Sequence, residues 1–160
     1  SAQAYQLIDR EIAKYPADQK QSAVMGALTI AQDEVGWVSP AVIEDVADYL
    51  SMPPIAVYEV ATFYNMYNLE EVGTWKIGVC TCLPCALREG DKAGEYLKQK
   101  LGIDFGETTP DGRFTLLETE GLGSCADAPI CLINDKRVES FMDNAKLDAL
   151  IDELRNKERH

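Results

Sequence analysis

A chain of 160 residues, 46% apolar and 26% charged, is long enough to bury a real hydrophobic core and too short for two large independent domains. Its formal charge of -12 argues against nucleic acid or anionic lipid as a partner, because both need a clustered Lys/Arg surface, and favours a protein partner with basic patches. No apolar run reaches the roughly 18 residues of a membrane span, and residues 1–20 show no basic region followed by a long apolar stretch, so neither a span nor a secretory signal is expected.

The first third reads as helices. Leu7, Ile8, Ile12 and Tyr15 recur at helical spacing, and Ala23, Val24, Ala27, Leu28 and Ala31 form a second stripe that Asp18 is placed to cap. Gly36 and Trp37 break that helix. Ser39 and Pro40 then supply an N-cap and a first-turn proline for a third helix, whose buried stripe is Ile43, Val46, Ala47 and Leu50. After Pro53 and Pro54 a shorter helix carries Val57, Val60 and Ala61 towards Phe63 and Tyr64 and ends near Asn68.

From Thr74 the texture changes. Trp75 to Val79 reads as a strand, a cysteine group occupies the following turn, and Glu89 to Leu101 has helical periodicity in Ala93, Tyr96 and Leu97. Phe114 to Leu117 is a second strand, followed by a glycine-rich loop from Gly121 to Ala128. Ile130 to Ile133 and Arg137 to Glu139 make a hairpin around Asn134-Asp135, and Asn144 to Arg155 is a closing helix burying Leu147, Leu150, Ile151 and Leu154. The order implies an α+β chain: a helical bundle over residues 1–73, then a small sheet with helices on its faces over 74–160.

Five cysteines, three of them at Cys80, Cys82 and Cys85, read as a metal or redox site rather than a disulfide framework. The four residues between Cys80 and Cys85 are enough to turn two thiolates towards one centre. Thiolates suit iron–sulfur clusters because soft, anionic sulfur binds iron strongly, and a two-iron cluster takes four of them. Cys125 offers a third ligand if the sheet brings its loop to the same edge. The bland alternative is that these are small buried hydrophobes.

Three segments carry a family resemblance: Val79-Cys80-Thr81-Cys82-Leu83-Pro84-Cys85-Ala86-Leu87-Arg88, Gly106-Glu107-Thr108-Thr109-Pro110-Asp111-Gly112, and Leu122-Gly123-Ser124-Cys125-Ala126-Asp127-Ala128-Pro129. Together they resemble the thioredoxin-like [2Fe-2S] ferredoxin subunits of respiratory NADH:quinone oxidoreductases, found in the NADH module of complex I. Related small subunits occur in NAD-linked formate dehydrogenases and hydrogenases. Upstream, Gly36-Trp37-Val38 and Val60-Ala61-Thr62-Phe63-Tyr64 also resemble that family's helical region.

The resemblance implies a thioredoxin-like domain from about Thr74 and a [2Fe-2S] cluster held by two cysteines in each loop, the later pair spaced Cys-x-x-x-Cys. Cys80, Cys85 and Cys125 stand at three of those places, while the fourth is Gly121. Either Cys82 or Cys131 substitutes, or a non-cysteine ligand or solvent completes the set, or the chain is an iron-free architectural subunit. The resemblance further implies an NADH dehydrogenase complex in which a partner flavoprotein binds NADH and FMN. This subunit's cluster would lie near the flavin, off the main electron path to quinone, and the isolated chain would not be catalytic. The expected location is cytoplasmic, peripheral to the inner face of the plasma membrane, or the mitochondrial matrix in a eukaryote.

Other motifs compete for the same residues. Cys82-Leu83-Pro84-Cys85 is also a C-x-x-C dithiol at a strand-to-helix junction, with Pro129 available as the proline beside a thioredoxin-type site, so thiol–disulfide exchange is the rival activity. Gly121-x-Gly123-x-x-Ala126 matches a loose dinucleotide fingerprint, but Pro129 and the strand behind it deny the helix that would hold pyrophosphate. The single histidine, His160, reads as a solvated tail residue, and without a histidine pair a Rieske-type centre is excluded. Phe63, Tyr64 and Tyr67 are expected in the core, with a partner surface as the alternative. Glu44-Asp45 and Glu70-Glu71 read as solvated faces.

Overall fold

The structure, a computed structural model, describes residues 1–157. Two compact units follow one another, Ser1–Glu71 and a second from Val72 onward. In the first, α1 (Ala2–Ile12), a 3₁₀ turn (Lys20–Ala23), α2 (Val24–Val35), α3 (Pro40–Leu50) and α4 (Pro54–Phe63) enclose a core of Ile8, Ala27, Leu28, Val38, Ala47, Leu50, Val57 and Ala61. Helix α3 starts where Ser39 Oγ accepts the Val42 N–H at 3.2 Å, with Pro40 in its first turn. Its stripe of Ile43, Val46, Ala47 and Leu50 is buried, the larger aliphatic side chains contributing roughly 1.5–3 kcal/mol each. Gly36 ends α2 with φ 101°, a left-handed cap that glycine adopts without Cβ strain.

Several expectations in this unit are corrected. Leu7 points outward and Ala4 joins Ile8 as a buried residue of α1, because the buried stripe runs through Ala4, Ile8 and Ile12 and the helix ends before Tyr15. Asp18 does not cap α2, since the 3₁₀ turn intervenes and Ala23 stands at the cap with no side-chain hydrogen bond. Helix α4 stops at Phe63 and does not reach Asn68, because Tyr64 is already extended at ψ 117°. Of the three aromatics, Tyr67 is buried and donates to the Met25 carbonyl at 2.9 Å, whereas Phe63 is 80% exposed and Tyr64 39%.

The second unit is built on a four-stranded sheet of β1 (Trp75–Cys80), β2 (Phe114–Thr119), β3 (Cys131–Ile133) and β4 (Arg137–Glu139), in the order β2-β1-β3-β4. Strands β1 and β2 run parallel, so the chain between them must cross over. It does so through the short α5 (Leu83–Ala86) and α6 (Gly90–Leu101). Strand β3 returns antiparallel to β1, and β4 closes a hairpin whose turn residues Asn134 and Asp135 both have positive φ, at 49° and 56°. Helix α7 (Asn144–Arg155) is capped by Asp143, whose carboxylate accepts the Lys146 N–H at 2.8 Å. Ala93 and Leu97 of α6 meet Leu147, Leu150, Ile151 and Leu154 of α7 over Ile77, Val79, Phe114 and Leu116. Both helices thus feed one apolar cluster on a single sheet face, rather than covering the two faces that the element order suggests.

Candidate metal centre

Four cysteine sulfurs gather where β1 ends. Strand alternation points Ile77 and Val79 into the main core, and Cys80, one step further, turns away from it. Cys80 joins a separate cluster with Cys85, Ala128 and Ile130, against which Cys82, Leu122 and Cys125 pack. The Cys80 backbone N–H donates to the Ile130 carbonyl at 3.2 Å and that of Thr81 to Thr119 at 3.2 Å, so both neighbouring segments pin the strand end. Cys82 then caps α5, and its carbonyl accepts the Ala86 N–H at 2.9 Å. That single turn swings Cys85 back beneath Cys80. The later loop enters through a 3₁₀ turn at Cys125–Asp127 and leaves by a cis peptide before Pro129.

The sulfurs are close. The Cys80 thiol donates to Cys82 Sγ at 3.5 Å, Cys82 and Cys125 are 3.6 Å apart at sulfur, and those of Cys80, Cys82 and Cys85 all lie within 4.8 Å of one another. Cys80, Cys85 and Cys125 are therefore brought into one cluster, with Cys82 among them. Cys131 is not. It stands opposite Val79 in the β1–β3 register, so it shares that residue's face and sits in the main core.

Local electrostatics divide the set. Burial pushes the Cys80 thiol up, and burial followed by hydrogen bonds from the other thiols raises Cys85 strongly. Cys82 is lowered, first by the Cys85 backbone N–H aimed at its sulfur and then by the Cys80 thiol. Backbone amides of Cys82 and Cys85 thus point at sulfur, as they do where thiolate charge is held. Cys131 is pushed up to about 12 by burial and the nearby Glu139 carboxylate, which keeps it an inert thiol. Four soft donors from two loops match the ligand count of a two-iron cluster.

Sequence reasoning misses Gly90. A Cβ there would stand 2.7 Å from the Cys80 carbonyl and 2.9 Å from that of Cys85, so only glycine lets α6 begin this close to the cysteine loop. Nothing in the local sequence announces it, because the contact is with residues brought there by the fold. The loop's outer rim is apolar: Leu83 and Leu87 are 74% and 80% exposed. His160 lies outside the described residues.

The chain is similar to several known proteins. A subunit of NADH-quinone oxidoreductase from Rickettsia conorii is 45% identical over 151 residues, covering 94% of this chain and 90% of the relative. The protein of the same name from Rickettsia bellii is 47% identical over 91% and 87%. NADH dehydrogenase [ubiquinone] flavoprotein 2, mitochondrial, of Dictyostelium discoideum is 39% identical over 93% of this chain and 60% of its own length. Among solved structures, an NAD+-reducing [NiFe]-hydrogenase in the H2-reduced state superposes with a TM-score of 0.70 at 22% identity; the match spans 81% of this chain and 22% of that one, and shows the fold. The thioredoxin-like [2Fe-2S] ferredoxin family matches residues 8–155, the stretch that holds both helical unit and cysteine loops, and this chain belongs to it.

Proposed function

We propose that this chain is the electron-carrying subunit of an NADH-oxidising complex, holding a [2Fe-2S] cluster on Cys80, Cys85 and Cys125 close to the FMN of a partner flavoprotein. The carrying observation is the convergence of sulfurs from two separate loops, seen in the 3.6 Å separation of Cys82 and Cys125, which are 43 residues apart in sequence. A bound [2Fe-2S] centre supplies one-electron storage, which is what lies between a two-electron flavin and single-electron acceptors. The chain's own residues do the rest. Cys80 and Cys85 are fully buried and keep water from the inner sulfurs, while Leu83 and Leu87 offer an apolar rim on which a partner can close. The names of the Rickettsia and Dictyostelium relatives support an NADH dehydrogenase complex. Among the described residues no helix is long and apolar enough to cross a membrane; the proposed place is peripheral, at the membrane's inner face.

The test is to prepare the chain anaerobically, count iron and acid-labile sulfide, and record electron paramagnetic resonance after reduction. Two irons and two sulfides per chain with a reduced-state signal are expected; a colourless, iron-free chain would sink the carrier reading in favour of an architectural subunit. Thiol–disulfide exchange by Cys82 and Cys85 is the second reading, favoured by the lowered Cys82 thiol. It leaves Cys80 and Cys125 without a role, and disulfide-reductase activity abolished by Cys82→Ala in an iron-free chain is what it requires.

A further inference from the structure

We propose that Cys82 supplies the fourth thiolate, so that the ligand set is Cys80, Cys82, Cys85 and Cys125, three from the first loop and one from the later. The inference rests on the reading that this chain carries a cluster, and it concerns which residue replaces a ligand at Gly121.

Position 121 cannot serve. Gly121 has φ +78°, in the left-handed region that penalises any residue with a Cβ, and a Cβ built there meets no other heavy atom within 4 Å. The loop is shaped around a glycine. Cys131 cannot serve either, because the β1–β3 register turns its sulfur to the opposite sheet face, into packed aliphatic side chains. Moving it to the other sulfurs would require a one-residue slip of β3 that would also expel Ile133 from the core.

Cys82 needs no such rearrangement. In a two-iron cluster each iron would take two thiolates, which at about 2.3 Å from one tetrahedral metal stand roughly 3.8 Å apart; Cys82 Sγ, at 3.5 Å from Cys80 Sγ and 3.6 Å from Cys125 Sγ, is placed to pair with either one of them. Its sulfur contacts both loops. Its backbone is fixed as the cap of α5, at φ -56° and ψ 155°, with Pro84 stiffening the turn behind it. Being only partly buried, its thiol can release its proton to solvent as the sulfur–iron bond forms.

The experiment uses the full chain reconstituted anaerobically with ferrous iron and sulfide. Wild type, Cys82→Ala, Cys82→Ser and Cys131→Ala are compared by iron and sulfide content, visible absorption and resonance g values. Cys131→Ala should match wild type. Cys82→Ala should lose the reduced-state signal, and Cys82→Ser should keep a cluster with shifted g values, because a harder oxygen ligand alters the iron it binds. If Cys82→Ala does not fold by circular dichroism, Cys82→Ser decides. Unchanged iron content and g values in either Cys82 variant overturn the assignment while leaving the carrier reading intact. A wild-type chain that takes up no labile sulfide overturns both.

Discussion

Gly90 is the residue on which the cysteine loop closes, since an added Cβ would run into the carbonyls of Cys80 and Cys85 at 2.7 and 2.9 Å. Carbonyls fixed at a strand end and in a helical turn do not give way as a flexible side chain does. Gly90→Ala should therefore lower stability by about 1–3 kcal/mol, the usual range for overpacking, and reduce iron retention along with it; a urea midpoint and iron content both at wild-type level would show that the loop can yield. Cys131 makes the opposite case, a sulfur that matters only for packing. Cys131→Ala should cost about 1 kcal/mol and Cys131→Ser more, because a hydroxyl lacking a partner in that core carries a penalty of about 1–3 kcal/mol. Equal denaturation midpoints for the two variants would contradict this. Residue spacing suggests Cys80 and Cys85 as paired thiolates, and the family resemblance adds Cys125. What spacing cannot decide is Cys82 against Cys131, because the answer depends on which residue of β3 lies opposite Val79, and register is a tertiary fact.

At the scale of elements, signals with a local physical cause survive the step to structure. Ser39-Pro40 starts α3, Gly36 ends α2, and Asn134-Asp135 turns the hairpin, each through its own backbone preference. Expectations fail where neighbours decide the outcome: α4 stops at Phe63 although its apolar pattern runs on, and Phe63 and Tyr64 stay exposed while Tyr67 alone of the three aromatics is buried as expected. The hairpin turn also does more than reverse the chain. Asn134 Oδ1 accepts the Lys76 N–H at 2.7 Å and its amide nitrogen donates to the Thr74 carbonyl at 3.3 Å, tying the turn to the start of β1. Beside it the Lys76 ammonium pairs with Asp135. Asn134→Ala removes an acceptor from a part-buried amide and leaves a Cβ residue without amide support at φ 49°. A loss of about 1–3 kcal/mol is expected, with faster hydrogen exchange at the Lys76 amide; wild-type exchange there would mean that solvent satisfies the amide as well as Asn134 does.

Taken as a whole molecule, the chain carries a formal charge of -12, so acid relieves its self-repulsion while removing the carboxylates that hold specific pairs. The clearest such pair joins β4 to α7. Arg137 on β4 binds Glu153 on α7 through two hydrogen bonds, at 2.7 and 3.1 Å, and Lys157 approaches the same carboxylate at 3.3 Å. The Arg137 hydrogen bonds hold Glu153 down from its ordinary 4.5 to about 2. A carboxylate depressed on folding contributes stability that is fully present above about pH 4.5 and is lost as pH falls through about 2. Because the Glu153 side chain is 40% exposed, solvent and salt screen the pair and the contribution is modest. Glu153→Gln should therefore melt below wild type at neutral pH, with the gap narrowing between about pH 4.5 and 2, closing below that window, and shrinking in high salt. A gap that stayed constant down to about pH 2 would assign the effect to packing of the side chain against β4 rather than to its charge.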